Sequence, residues 1–279
     1  MISNDESALT ETEVHYLQSD NVGEEFKILV GHCGASGSTP PPVLFVSDAN
    51  MQFGTAVDMV RLLHLMDYLP PLLVVGIGYR VATIKETLDL RSRDLTPTID
   101  AARAPATMGG AARFLAFIRE ELQPWARARF GVDTDDSTYF GDSFGGLFGT
   151  YVLFNEPTTF QRYGLGSPSL SYDNGVMFEH EAEYAKGHDD LPATVYFSVG
   201  EYENTQGDQR RAAGQPADEG AEPYTWDLVA EVERMASTLR ARQYPSLAIE
   251  CEVVPGEYHP TAPPVNLSRS LRFLFDGPR

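Results

Sequence analysis

The chain has 279 residues, 42% of them hydrophobic and 22% charged, which is enough for one large α/β domain with a substantial core. Its formal net charge is −19, from 40 Asp and Glu against 21 Lys and Arg. Such an acidic surface repels phosphate backbones and anionic lipid, so nucleic acid and membranes are excluded as expected partners.

The polar, acidic stretch Met1 to Thr12 has no apolar run of signal-peptide type. No apolar run reaches transmembrane length, because Leu69 to Tyr79 is short and holds two prolines. The expectation is a soluble cytoplasmic protein. Val14 to Leu17 and Glu25 to Val30 read as opening strands joined by a turn at Asn21-Val22-Gly23, and Gly34 to Pro42 as a loop. Cys33 and Cys251 stand far apart with no Cys-x-x-Cys pairing, which reads as two free thiols. Val43 to Val46 is a continuous apolar strand, of the kind found in a sheet covered on both faces. Phe53 to Leu69 has helical periodicity, and Leu72 to Gly76 is another buried strand. Tyr79 to Thr107 reads as a long polar loop. Ala111 to Phe130 is an amphipathic helix with a break expected at Pro124.

Ser137 to Phe140 is a strand and Leu147 to Phe154 a helix, and between them lies Gly141-Asp142-Ser143-Phe144-Gly145. A Ser in Gly-x-Ser-x-Gly between strand and helix is the nucleophile elbow of α/β-hydrolases. The bare pattern is weak evidence, and the strand–turn–helix context carries it. Tyr163 to Gly166 and Thr194 to Val199 read as strands, and Val176 to Lys186 as a helix. Asn204 to Pro223 reads as a surface insertion, Trp226 to Gln243 as a helix, Ala248 to Val254 as a strand and Val265 to Phe275 as a final helix. Strands alternating with helices from residue 43 onward imply a mostly parallel sheet flanked by helices. The expected architecture is a single α/β-hydrolase domain over residues 1–279, with 79–107 and 204–223 as excursions above the sheet.

An activated Ser needs a base, and the base an orienting acid. In this fold their order is Ser, acid, His. His259 follows the last strand in a Gly-containing loop, where a base can swing toward Ser143. His15, His32 and His64 precede the elbow or lie on other elements, and His180 and His188 flank an earlier helix. The acid is Glu201 or Glu203 beyond the strand ending at Gly200, with Glu203 preferred because it has room to turn back. The oxyanion hole needs two backbone N–H donors. One is expected from Phe144, the other from the loop after Val46, with Asn50 favoured over Ala49 and Met51. Asp48 reads equally well as a helix-capping carboxylate.

Several segments together resemble the putative-esterase family of α/β-hydrolases, and within it the siderophore-esterase (IroE-like) branch. They are Pro42 to Asn50, Val75-Gly76-Ile77-Gly78-Tyr79, Arg91-Ser92-Arg93-Asp94-Leu95-Thr96-Pro97, Gly141 to Phe148, Ser167-Pro168-Ser169-Leu170 and Ser198-Val199-Gly200-Glu201-Tyr202-Glu203. Ala49 stands where the family usually has Gly, and Ser171-Tyr172-Asp173 replaces an aromatic pair. The resemblance implies ester hydrolysis through a Ser-centred acyl-enzyme, with no metal and no cofactor, on a small-molecule ester that is siderophore-like or aryl. Arg91 and Arg93 are candidates for binding an anionic substrate, with ion pairs to Asp89 or Asp94 as the plainer role. The alternatives are an acyltransferase that uses the same acyl-enzyme, and a catalytically inactive binding protein.

Overall fold

The computed structural model describes residues 9–34, 40–101, 108–205 and 227–276. Most of the expected insertion 204–223, part of the 79–107 segment and part of the 34–42 loop lie outside the described residues. The described residues form one eight-stranded sheet in the order β1-β2-β4-β3-β5-β6-β7-β8. The strands are β1 Thr12–Gln18, β2 Glu25–Cys33, β3 Pro42–Val46, β4 Leu72–Tyr79, β5 Asp133–Asp142, β6 Arg162–Gly166, β7 Thr194–Gly200 and β8 Ala248–Val254. β1 pairs with β2, and β2 with β4, in antiparallel fashion, while every later pairing is parallel. The opening hairpin turns at Gly23, whose φ of 82° favours glycine.

Apolar side chains alternate between two faces of the sheet. Leu44, Val46, Val74 and Phe140 pack under α1 (Ala49–Leu65) and under the C-terminal helix Ala262–Asp276. Phe45, Val75, Tyr139 and Phe197 face the other layer. That layer holds α3 (Ala111–Phe117), α4 (Gln123–Phe130), α5 (Phe144–Asn155), α6 (Tyr172–Gly187) and α7 (Leu228–Arg242), and the C-terminal helix is α8. Each fully buried Phe or Leu here contributes about 1.5–3 kcal/mol. A π-helical turn, Ile118–Leu122, joins α3 to α4 just before Pro124, where the chain lacks an N–H. Cys33 and Cys251 are free thiols.

Three expectations are corrected. The long polar loop contains α2, Ile84–Asp94, started by a capping box between Thr83 and Glu86. Its buried face is polar, made of Thr87, Arg91 and Asp94, while Ile84 and Leu88 are exposed, which hides the helical period. Helix α1 begins at Ala49, four residues before the expected start, because the carbonyl of Asp48 accepts the N–H groups of Met51 and Gln52. Strand β4 runs on to Tyr79 because β2 pairs with it all along that length.

The elbow sits at the carboxyl end of β5, inside the parallel part of the sheet. Ser143 has φ 59° and ψ −117°, a conformation an L-residue adopts only under constraint. The constraint is close packing of α5 on β5. A Cβ on Gly141 would stand 2.5 Å from the Gly145 backbone and from the Tyr139 hydroxyl. The Tyr139 hydroxyl donates to the Gly145 carbonyl at 2.9 Å, and the Ser143 N–H donates to the Gly166 carbonyl at 2.9 Å. Gly141→Ala is expected to cost about 1–3 kcal/mol through overpacking against rigid backbone. Urea denaturation checks this, and an unchanged midpoint would show that helix and strand can separate at no cost.

Candidate active site

All the side chains of interest come from the carboxyl ends of parallel strands, where ligands of open α/β sheets bind. Ser143 follows β5, Ser167 follows β6, Glu203 follows β7 and His259 follows β8. Asp48 follows β3. The parallel pairing therefore brings residues 24–211 positions apart in sequence to one edge.

His259 Nε2 lies 3.1 Å from Ser143 Oγ, and its Nδ1 lies 2.5 Å from Glu203 Oε2. Glu203 is 5% exposed, and such a carboxylate needs donors. Its Oε1 accepts from the Gly200 N–H at 2.7 Å and from the Ser167 hydroxyl at 2.6 Å. Glu201 is exposed and turns elsewhere, accepting the Gly256 N–H at 2.8 Å and so fastening the loop that carries His259. The imidazole keeps 44% of its side-chain surface open. Desolvation by the surrounding walls presses its pKa down, but the hydrogen bond and charge of Glu203, with the charge of Asp142, outweigh this, and the net shift is upward. The other histidines are engaged elsewhere. His15 and His32 flank Glu13, His64 binds the Leu69 carbonyl, His180 meets Asn155, and His188 stacks on Tyr184.

A cleft of about 360 Å³ opens above Ser143. Asp48, Met51, Gln52 and Thr55 of the α1 entrance line it, with Leu88 and Arg91 of α2 and His259, Pro260, Pro263 and Pro264 of the last loop and α8. Phe144 occupies the first position of α5, so its N–H belongs to a helix terminus with no intrahelical acceptor. Asn50 is the second residue of α1. Its side chain is committed to β4, with Nδ2 donating to the Tyr79 carbonyl at 2.9 Å and Oδ1 accepting the Tyr79 N–H at 2.7 Å. It does not border the cleft; Met51 and Gln52 do. Ala49 fits in place of glycine because Gly76 faces it, and a Cβ there would meet the Ala49 methyl at 2.7 Å.

The two arginines do not stand open on a loop. Arg91, in the last turn of α2, donates from Nε and Nη2 to both carboxylate oxygens of Asp48, at 2.7 and 2.8 Å. Asp48 sits at the N-cap of α1 with φ 54°, and it gives its carboxylate to Arg91 instead of capping the helix. Arg93 binds both oxygens of Asp94 and reaches Glu24, away from the cleft. Two buried charges can be held there only as a matched pair. Of the apolar residues of this segment, Leu88 lines the cleft, Leu90 packs partly buried against the core, Leu95 is core and Ile99 is exposed. Tyr172 is 1% exposed, donates to the Thr98 carbonyl and packs edge-on against Phe144, so it supports the wall from behind.

The Asp48–Arg91 pair generates a stability test. Asp48→Ala strands a buried guanidinium and is expected to cost about 3–5 kcal/mol in urea denaturation. The double variant with Arg91→Met should lose less than the sum of the single losses. Additive losses would mean that the pair carries no coupling.

Known proteins are similar to this chain over most of its length. The family model described as putative esterase matches residues 19–216. The ferri-bacillibactin esterase BesA of Bacillus subtilis is 31% identical, with 96% of this chain and 91% of that protein aligned. The siderophore triacetylfusarinine C esterase of Aspergillus fumigatus is 33% identical over 63% of this chain and 61% of its own length. The crystal structure of the BES protein from Bacillus cereus superimposes with a TM-score of 0.81 at 25% identity, covering 98% of both chains. The match to the family model and the near full-length likeness to BesA show that the chain belongs to the putative-esterase family of α/β-hydrolases.

Proposed function

We propose that this chain hydrolyses esters within siderophores or their ferric complexes, with Ser143 as nucleophile, His259 as general base and Glu203 as the acid that orients it. The observation that carries the reading is the unbroken hydrogen-bonded line from Ser143 Oγ through His259 to Glu203, at 3.1 and 2.5 Å. The named activities of the two curated relatives supply the substrate class. The chain acts as one catalytic unit.

In this mechanism His259 Nε2 takes the Ser143 proton as Oγ attacks the ester carbonyl. Glu203 keeps the proton on Nδ1, so that Nε2 is the free base, and stabilises the imidazolium that forms. The negative charge developing on the carbonyl oxygen is met by the Phe144 N–H at the positive end of α5. A second donor comes from the first turn of α1. Asn50 remains the candidate for it because the N–H groups of Met51 and Gln52, which border the cleft, are bonded to the Asp48 carbonyl, and the Asn50 side chain fixes that turn to β4. Collapse of the intermediate expels the alcohol, which takes its proton from His259. Water activated by the same base then releases the acid and frees Ser143. Met51 and Leu88, which are 41% and 44% exposed, with Pro260 and Pro263 give the cleft an apolar rim for a bulky substrate. Arg91 borders this cleft with its charge already matched by Asp48, and serves as wall rather than as an open anion clamp.

Ser143→Ala and His259→Ala are each expected to remove nearly all turnover of ester substrates, and Ser143→Ala also all fluorophosphonate labelling. The two losses should not add, because the residues act as a unit. Retention of most activity by Ser143→Ala would end the reading. Hydrolysis of ferric siderophores, measured against p-nitrophenyl esters, tests the substrate class.

The pH profile follows from the raised His259 pKa. The base works as neutral imidazole, so kcat/KM rises with pH, with its acidic limb above the unperturbed imidazole value of about 6.5. Glu203→Gln removes the anion that holds the imidazolium, so the limb moves to lower pH while the plateau falls. Glu201→Gln should leave the limb in place. A larger effect at Glu201 would reverse the assignment of the acid.

A further inference from the structure

A second buried carboxyl lies beside the hydrogen-bonded line and takes no part in the chemistry proposed above. Asp142 immediately precedes Ser143 and is 3% exposed. Its Oδ2 accepts from Asn266 Nδ2 at 2.9 Å. Asn266, on α8, is fully buried, and the same nitrogen donates to Ser167 Oγ at 3.1 Å. Ser167 Oγ in turn donates to Glu203 Oε1 at 2.6 Å, on the carboxylate whose other oxygen faces His259. The amide hydrogens of Asn266 thus serve two acidic ends, Asp142 directly and Glu203 through Ser167. Among the described residues its Oδ1 has no protein partner.

The backbone is built around this arrangement. A Cβ on Gly166 would stand 2.3 Å from Asp142 Oδ2 and 2.9 Å from Asn266 Nδ2, so only glycine leaves room for the pair. Ser167, next along, is fully buried at φ 37°, a strained conformation for a non-glycine residue, and its N–H is tied to the Ser198 carbonyl at 2.7 Å. That strain puts a hydroxyl against the Glu203 carboxylate.

We propose that Ser167 and Asn266 are positioning residues that hold the Glu203 carboxylate in line with His259, and that Asp142, on the same network, sets the charge felt by that histidine. The proposal rests on the reading of Ser143, His259 and Glu203 as the catalytic residues. With Oε1 fixed by Ser167 and Gly200, the plane of the carboxylate cannot turn, and Oε2 stays on Nδ1. The charged groups facing Asp142 are His259 from the loop after β8, Glu203 from the loop after β7 and Arg91 from α2, itself paired with Asp48; α8 contributes the neutral Asn266. Burial pushes Asp142 up to about 6, against the pull of Asn266, His259 and Arg91. Above that pH it is an anion that favours the imidazolium.

The test compares Ser167→Ala and Asp142→Asn with the natural protein, using kcat and KM across pH and the NMR signal of the His259 Nδ1 proton. Ser167→Ala should lower kcat about tenfold or more with KM within about twofold, the pattern of a lost supporting hydrogen bond. Asp142→Asn keeps the shape of the side chain and removes its charge, so the acidic limb of kcat/KM should move to lower pH by several tenths of a unit. The Nδ1 proton titration should move with it. An unshifted limb and titration in Asp142→Asn, or an unchanged kcat in Ser167→Ala, overturns the proposal. If Ser167→Ala does not fold, Asp142→Asn decides alone. Ser143→Ala in the same assay separates the two levels. Activity that persists without Ser143 overturns the catalytic reading itself, whereas Ser143-dependent activity with an unmoved limb overturns only this inference.

Discussion

The strained turn at Ser143 is the constraint on which the rest of the site depends. At φ 59° and ψ −117° the residue is held only because β5 and α5 meet with no side chain between them at Gly141 and Gly145. The Ser143 N–H is bonded across to β6 at Gly166, and its carbonyl accepts the N–H of Leu147. The hydroxyl therefore stands at the strand end above a rigid parallel sheet rather than on a mobile loop. The neighbouring strand ends then deliver the other groups at fixed spacing, Ser167 one strand away, Glu203 two and His259 three.

Around that point the protein buries more charge than an ordinary core admits, and each buried charge is matched by specific partners. Glu203 has two donors on one oxygen and an imidazole on the other. Asp48 has a two-pronged guanidinium. Asp142 has a single amide donor, and desolvation raises its pKa. Asp142 rises because one donor offsets little of the desolvation that disfavours its charged form. The same accounting explains why the two arginines, which look free on a polar segment in an acidic protein, are consumed by the structure. Their charge offsets local carboxylates and is not left exposed in the cleft.

In the proposed function, ligand access and selectivity lie with other elements. Besides Asp142, Ser143 and His259 themselves, the cleft is lined by the α1 entrance, α2, Pro260 and the start of α8, none of which supplies Ser143, His259 or Glu203. Met51 and Leu88 on its rim can therefore vary without disturbing the hydrogen-bonded line. Relatives that act on chemically different siderophores are consistent with such a division between a fixed strand-end constellation and a variable rim.

Much of this was legible in the chain because the signals are local. The alternation of apolar runs announced every strand of the sheet, the glycines around Ser143 announced a close helix–strand contact, and the order Ser, Glu, His placed Ser143, Glu203 and His259 at three strand ends. Helix α2 had a local signal as well, the Thr83–Glu86 capping box, but its polar face masked the period. What the tertiary structure alone decided is which groups meet across strands. Nothing near Asp48 in sequence marks Arg91 as its partner, 43 residues away, and Asn266 belongs to no motif although it joins Asp142 to Ser167. Sequence determines local conformation through sterics and periodicity. Long-range pairing of buried polar groups depends on which strand ends the sheet order sets side by side, and that is a property of the assembled fold.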